Sequence, residues 1–118
     1  MTAQTRYHAG LAAEQNVARD YERRGRQIAS HRWRGAGGEV DLIVRDGDTL
    51  IFVEVKKSAS HARAASRVSR RQMNRIYAAA SEYIGDEPLG QLTDVRFDVA
   101  TVDQFGAVQI IENAFMAA

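Results

Sequence analysis

The chain contains no cysteine and no long apolar segment, and these absences exclude several classes of protein. Without cysteine there can be no disulfide bond and no zinc site built from thiolates. No segment approaches the ~20 apolar residues that a membrane-spanning helix needs. Residues 1–10 lack the hydrophobic core of a signal peptide. The histidines include no pair at metal-ligand spacing, so a histidine zinc site is not expected either. We therefore expect a cytoplasmic protein that makes no membrane contact.

Length and apolar patterning predict one mixed α/β domain. The 118 residues suit a single core, expected over about residues 10–113. Apolar periodicity predicts, in order, a helix, three strands, a helix and two strands. We place them at residues 10–24 (helix), 27–34 (strand), 40–56 (hairpin), 69–84 (helix), and 94–102 and 107–111 (strands). Residues 58–67 are mostly small and polar and predict a mobile loop, in which His61 is a weak candidate for a proton shuttle.

The net charge of +1 conceals an uneven distribution of charge along the chain. Residues 55–81 contain no acid, whereas acids dominate from Glu82 onward. The basic side chains of this segment are Lys56, Lys57, Arg63, Arg67, Arg70, Arg71 and Arg75. Such a segment favours binding to a phosphate backbone, with the acidic half expected on the far side. The alternative is an arginine-rich helix face that only meets solvent.

Two strings of the central hairpin bring three charged residues onto one face of the sheet. Asp46 and Gly47 form a dipeptide that favours a tight turn. If they alone form the loop, Glu54 lies diagonal to Asp41; if the loop is residues 46–49, Asp41 faces Glu54 directly. Because strand side chains alternate with period 2, either register places Asp41, Glu54 and Lys56 on one face. Only an odd-length loop would separate them.

Two carboxylates with an ammonium group nearby are typical of a site for Mg²⁺ or Mn²⁺ and a phosphate. Ile43, Leu50 and Phe52 share the acidic face, so the acids are expected to be half-buried and to repel one another until a cation joins them. The alternative is an ordinary solvated sheet face. The opposite face is predicted to be core and contains Val40, Leu42, Val44, Ile51, Val53 and Val55.

Each helix carries one polar residue within its apolar stripe. Glu14 of the first helix either supports the metal site, or extends to an edge or pairs with Arg24 or Arg34. Gln72 of the second helix either points inward or completes a capping box with Ser69. Both pairs of alternatives stay open.

The glycine-rich segment at residues 35–38 enters a strand, so it is not a nucleotide-binding phosphate loop. We expect it to allow close backbone approach to DNA or to bend the strand. Trp33, just before it, is expected to anchor the core or an interface more readily than to stack on a base. In the last hairpin, Arg96 and Asp98 share a face and predict an ion pair.

Four strings together resemble the YraN family of small bacterial proteins: residues 37–43 (GGEVDLI), 52–56 (FVEVK), 32–34 (RWR) and 96–99 (RFDV). The resemblance extends over about residues 10–102. That family is similar to the PD-(D/E)xK nuclease superfamily, in particular to archaeal Holliday junction resolvases. Gln72 stands where the family usually has lysine, and Ala13 where it commonly has glycine.

The resemblance implies a restriction-endonuclease-like αβββαβ domain, with a central mixed sheet flanked by helices. It implies metal ligands at Asp41, Glu54, the carbonyl of Val55 and, through water or a second ion, Glu14. It implies catalytic roles for Asp41, Glu54, Lys56 and Gln72. DNA contacts are expected from Lys57, Arg63, Arg67, Arg70, Arg71 and Arg75. A resolvase-like enzyme needs two copies to cut two strands, so a homodimer is expected.

The sequence therefore predicts Mg²⁺- or Mn²⁺-dependent hydrolysis of DNA phosphodiester bonds, with branched substrates expected by analogy. Two other functions stay open. One is a DNA-binding module without turnover. The other is an interaction protein of a DNA repair or uptake complex, with Trp33 and the first strand as its contact edge.

Overall fold

A computed structural model describes residues 3–65 and 68–114 of the chain. Its helices are α1 (Ala3–Arg23), α2 (His61–Ala65) and α3 (Arg70–Ile84), with one 3₁₀ turn at Gly90–Leu92. Its strands are β1 (Gln27–Arg34), β2 (Glu39–Asp46), β3 (Thr49–Lys57), β4 (Asp94–Val102) and β5 (Val108–Ile111). In the described part, no helix is long and apolar enough to cross a membrane.

The strands form one open mixed sheet in the order β1-β2-β3-β4-β5. β3 and β4 are parallel, and the other neighbouring pairs are antiparallel. The chain passes from β3 to β4 through α3, as parallel neighbours require a crossover connection. The predicted mixed α/β architecture and its order of long elements are confirmed.

Helices cover both faces of the sheet. On one face, Val17 and Tyr21 of α1 pack with Leu42 and Ile51. On the other, Ile76 and Ala79 of α3 pack with a second set that includes Ile43, Leu50 and Phe52. β2 and β3 are therefore buried from both sides, which explains why their sequences are nearly continuous apolar runs.

The β2–β3 register agrees with the second of the two predicted registers. Ile43 pairs with Phe52 and Leu42 with Val53, so continuing the register by one residue places Asp41 opposite Glu54. The loop is shorter than predicted, because Asp46 and Thr49 are themselves paired. The turn consists of Gly47 and Asp48, and Gly47 adopts a φ of 60°, which glycine tolerates best.

One residue of the predicted core lies on the other face. Val40 packs with the α3 cluster rather than with the α1 cluster. Its partner on β1 is Trp33, which packs against the same cluster. The residue before Trp33, Arg32, has a φ of 48°. This left-handed backbone interrupts the alternation of side chains on β1, beside the point where Val40 departs from the alternation expected for β2.

The segment predicted as a loop at residues 58–67 contains the short helix α2. Nδ1 of His61, its first residue, lies 2.6 Å from Oγ1 of Thr101 on β4, and its Nε2 lies 3.6 Å from a carboxylate oxygen of Asp103. These contacts join residues far apart in sequence, so local patterning could not show them. α1 also begins earlier than predicted, at Ala3 rather than near Gly10.

Candidate active site

A cleft of about 510 Å³ opens where β2, β3, α3 and the β1–β2 loop meet. It contains both acids of the central hairpin, Asp41 and Glu54, together with Gln72 and Arg75 of α3. The remaining lining residues are Arg34, Gly35, Ala36, Gly37, Gly38, Glu39 and Ile76. Residues that the sequence placed on three separate elements therefore share one cavity.

Asp41 is held at the base of the cleft by the backbone of β3. The amide of Val55 donates a hydrogen bond to Oδ2 of Asp41 at 2.8 Å. Burial, and after it repulsion from the nearby Glu54 carboxylate, raise the pKa of Asp41 to about 7. The Val55 amide and the Lys56 ammonium act in the opposite direction. The folded chain thus holds a carboxylate in surroundings that disfavour its charge.

The positive charge of Lys56 partly offsets the negative charges of Asp41 and Glu54. Its Nζ lies 3.3 Å from Oε1 of Glu54, and the two side chains are 17% and 13% exposed. They face the same way because they are two residues apart on β3. The ammonium contacts Glu54 directly, and its charge also lowers the pKa of Asp41.

Glu14 of α1 is buried and lies near enough to Asp41 to be affected by its charge. Burial raises the pKa of Glu14, the hydrogen bond from Arg32 lowers it, and the Asp41 carboxylate raises it. Nε of Arg32 donates to Oε2 of Glu14 at 2.8 Å. The predicted partners, Arg24 and Arg34, were wrong: Arg24 pairs with Asp20 and Arg34 with Glu39. The left-handed backbone at Arg32 is a tertiary feature that no sequence pattern signalled.

The donor set suits a hard divalent cation that keeps part of its water shell. In the described residues, no three histidine or acidic side chains are grouped so that they could hold a metal ion by themselves. The site offers the carboxylates of Asp41 and Glu54 and the nearby backbone of Val55. Mg²⁺ is commonly bound by one or two carboxylates, with waters and substrate phosphates completing its shell. The oxygen donors and the repulsion between the two acids fit such an ion.

Gln72 combines the two roles that its sequence position left open. Its Oε1 accepts from the amide of Ser69 at 3.1 Å, and its own amide donates to Oγ of Ser69 at 3.2 Å. This is the predicted capping box. Gln72 also lines the cleft, because the first turn of α3 lies beside the ends of β2 and β3.

The predicted DNA-contacting residues differ in their relation to the cleft. Arg75 lines it, while Arg70 and Arg71 are exposed on the same helix. Lys57 is exposed at the end of β3, and Arg63 is exposed on α2. Arg67 lies outside the described residues.

The glycine-rich segment contacts α3 closely, a feature that sequence reasoning did not foresee. The amide of Ala36 donates to the carboxylate of Glu82, at 3.0 Å for Oε2. A Cβ added at Gly35 would overlap this carboxylate and the Trp33 ring, and one added at Gly38 would lie 3.0 Å from the carbonyl oxygen of Arg75. The expectation that the acids from Glu82 onward lie on the far side was therefore wrong for Glu82 itself.

Trp33 and the last hairpin have structural roles. Trp33 meets Tyr83 of α3 edge to face, with 5.4 Å between ring centroids, so its predicted role as a core anchor is confirmed. The predicted ion pair is also present, with Nε of Arg96 2.9 Å from Oδ1 of Asp98. Asp98 is fully buried and also accepts from the hydroxyl of Tyr21 at 2.8 Å.

Comparison with known proteins adds the family. The model of the uncharacterised protein family UPF0102 matches residues 13–102. The chain belongs to this family. A UPF0102 protein of Cereibacter sphaeroides (strain KD131) is 62% identical over 117 residues, which are 99% of this chain and 100% of that protein. A UPF0102 protein of Ruegeria pomeroyi is 58% identical over 112 residues, which are 94% of this chain and 91% of that protein. The predicted membership of the YraN family is thereby confirmed.

The residues that match the UPF0102 family include the whole candidate site. Glu14, Asp41, Glu54, Lys56 and Gln72 all fall within residues 13–102. The matched range also spans α3 and β4, which close the cleft and support its core.

Proposed function

We propose that the protein is a nuclease that hydrolyses DNA phosphodiester bonds and depends on Mg²⁺ or Mn²⁺. The observation that carries this proposal is the geometry of Asp41 and Glu54. Two mutually repelling acids lie in one cleft beside an ammonium group, and burial raises the pKa of Asp41 to about 7. A divalent cation would remove the repulsion that the folded chain alone leaves uncompensated. The similarity to PD-(D/E)xK nucleases supports the same reading of Asp41 and of Glu54-Val55-Lys56.

Asp41, Glu54 and the Val55 carbonyl would hold the cation. When bound, it would supply Lewis-acid activation of a water molecule and neutralise charge on the phosphate. The Val55 amide keeps the Asp41 carboxylate in place through its hydrogen bond, so the fold itself orients one of the groups that would hold the cation.

Lys56 and Glu14 complete the site in different ways. The Lys56 ammonium, held by Glu54, orients the attacking water and offsets the negative charge that develops on the phosphate. Glu14, paired with Arg32, acts at a distance as a positioning residue for Asp41. The αβββαβ order of elements agrees with a restriction-endonuclease-like fold, which is part of this proposal.

The substrate class follows from charge. Arg70 and Arg71 are exposed on α3, and Arg75 of the same helix lines the cleft. A row of guanidinium groups beside a phosphate-cleaving site favours binding of a nucleic-acid backbone. Branched DNA is the preferred substrate by analogy with the resolvases.

The test is a cleavage assay on metal-stripped protein. Linear, nicked and four-way DNA are incubated with Mg²⁺, with Mn²⁺ or with chelator. We expect cleavage only with metal, with loss of at least about 100-fold in rate for Lys56→Ala, the scale seen when one charge-stabilising donor is removed. Asp41→Asn should be inactive, whereas Asp48→Asn, which removes a carboxylate from the exposed turn, should retain activity.

Two outcomes would overturn the proposal. Cleavage that persists in chelator and in Asp41→Asn would assign the activity to a contaminant. Wild-type protein that binds DNA but never cuts any of the three substrates with either metal would favour the DNA-binding module.

A further inference from the structure

The cleft has a second wall that is rich in hydrogen-bond donors. The carboxylates lie on the strands, whereas this wall consists of the β1–β2 loop at residues 35–38 and Arg75 of α3. Both walls line the same cavity of about 510 Å³.

The loop is fastened to α3, so its backbone is fixed in position. The amide of Gly35 donates to the carbonyl oxygen of Gly38 at 2.9 Å, and Glu82 holds the amide of Ala36. A Cβ at Gly37 would lie 2.9 Å from Cβ of Ala78, and one at Gly38 would lie 3.3 Å from Cβ of Arg75. Glycine at these positions allows the loop to lie directly against the helix.

Three donor groups of this wall are left unused within the part of the chain that the structure describes. The amides of Gly37 and Gly38 have no hydrogen-bond acceptor there, and the exposed guanidinium of Arg75 has no ion-pair partner. The two nearby acids are already engaged, because Glu82 binds Ala36 and Glu39 pairs with Arg34. Consecutive backbone amides without side chains, together with a guanidinium, form a favourable arrangement for a phosphate.

We propose that Gly37, Gly38 and Arg75 form a second phosphate site, which binds the phosphate next to the one held at Asp41 and Glu54. This inference deepens the proposed nuclease function and rests on it. The cleft is in the size range of small-molecule sites, about 300–1,000 Å³, so it has room for a short length of one strand. In this proposal that strand presents two consecutive phosphates to the two walls.

The direct test is titration of ¹⁵N-labelled protein with short thymidine nucleotides in the presence of chelator. The probes are the 5′-phosphorylated dinucleotide, with two phosphates, and the unphosphorylated dinucleotide, with one. We expect the amide signals of Gly37 and Gly38 to shift with the first probe and its affinity to exceed that of the second by about tenfold, or 1.4 kcal/mol. Arg75→Ala should abolish this difference, and Arg75→Lys should retain part of it because lysine keeps the charge but not the two-pronged geometry.

Arg23→Ala is the matched control, since it also removes one exposed positive charge but lies at the end of α1, away from the cleft. It should leave the tenfold preference intact. Equal affinity for the two probes, or shifts that spare Gly37 and Gly38, would overturn the second site. A preference lost equally in Arg23→Ala would also overturn it, because the effect would then be general electrostatics.

The cleavage assay separates this inference from the proposed function. If Lys56→Ala abolishes cleavage while Arg75→Ala leaves KM for single-stranded DNA unchanged, the nuclease stands and the second phosphate site fails. If the dinucleotide preference is present but no DNA is ever cut, the phosphate site stands and the nuclease fails.

Discussion

Asp41 lies among three other ionisable side chains, Glu54, Lys56 and Glu14, at the end of two strands that are buried on both faces. The backbone amide of Val55 donates a hydrogen bond to it, which orients the carboxylate but brings no full positive charge. Burial and Glu54 raise its pKa to about 7. At the scale of single residues, ionisation of Asp41 therefore lowers the stability of the folded chain when no cation is bound.

This destabilisation predicts a pH dependence. Because the pKa of Asp41 is higher in the folded than in the unfolded chain, the folded state binds more protons between about pH 4 and pH 7. The free energy of unfolding should therefore fall as the pH rises through this range. Asp41→Asn removes the effect and keeps an acceptor for the Val55 amide. We expect it to be more stable than wild type by about 2 kcal/mol near pH 8 and by much less near pH 4.

Urea unfolding of both proteins in chelator, at the two ends of that range, measures the difference. If the proposed metal site is correct, adding Mg²⁺ near pH 8 should stabilise the wild type and not Asp41→Asn, because only the wild type keeps both proposed ligands. Asp48→Asn is the control for loss of one negative charge. A gap between wild type and Asp41→Asn that does not change with pH would show that Asp41 is not strained by its surroundings.

At the scale of elements, α3 contributes to the cap, the core and the cleft. Its first turn is capped by the hydrogen bonds between Ser69 and Gln72. Its buried residues cover one face of the sheet, and its exposed side contacts the glycine-rich segment at residues 35–38. A substitution in α3 can therefore change both the stability of the fold and the geometry of the cleft. The two effects can be separated because, in the described structure, Ser69 takes part in the cap without lining the cleft, whereas Gln72 does both.

Substitution of the two capping residues should separate these roles. Ser69→Ala should lower the free energy of unfolding by about 1 kcal/mol, the usual effect of losing an N-cap side chain. Gln72→Ala should lower it by a similar or smaller amount and should also reduce kcat/KM. Chemical denaturation and steady-state cleavage measure the two quantities. Equal losses of kcat/KM in both variants would show that Gln72 acts only through the cap.

At the scale of the whole molecule, a net charge of +1 hides a basic helix beside the cleft. The buried acid Asp98 has a structural role instead. It accepts hydrogen bonds from Tyr21 of α1, from Arg96 and from the amide of Asn113. The acids of the second half thus include side chains that join elements, while the arginines of α3 stay exposed. Nucleic acid should therefore bind at one side of the molecule and with a marked salt dependence.

A salt titration tests this distribution. Each phosphate neutralised by the protein contributes about −0.7 for single strands to the slope of log affinity against log salt. Arg71→Ala should make the slope less steep by about this amount. Fluorescence anisotropy with a labelled single strand in chelator measures it. Arg23→Ala, at the end of α1, serves as the control, and a slope that changes as much in it would indicate only an effect of net charge.

Much of the fold could be predicted because the signals are local. Alternation and turn residues located β1 and β4 to the residue and the β2–β3 hairpin within about two residues, and Ser69 and Gly85 marked the ends of α3. α2 and the first residues of α1 were missed, since neither has a strong apolar period. The helix α2 is held by the contacts of His61 with Thr101 of β4 and with Asp103 just after that strand.

Part of the candidate site could likewise be predicted from local patterns, and part could not. Period-2 alternation, a consequence of backbone geometry, was enough to place Asp41, Glu54 and Lys56 on one face. Three features were decided by the tertiary structure alone. Arg32 pairs with Glu14, and Glu82 binds the glycine-rich segment at residues 35–38. Arg75 lines the cleft. These contacts join residues that are far apart in the chain or lie on different layers. They depend on how helices pack on the sheet and on the left-handed backbone at Arg32, which no local pattern of residue types determines.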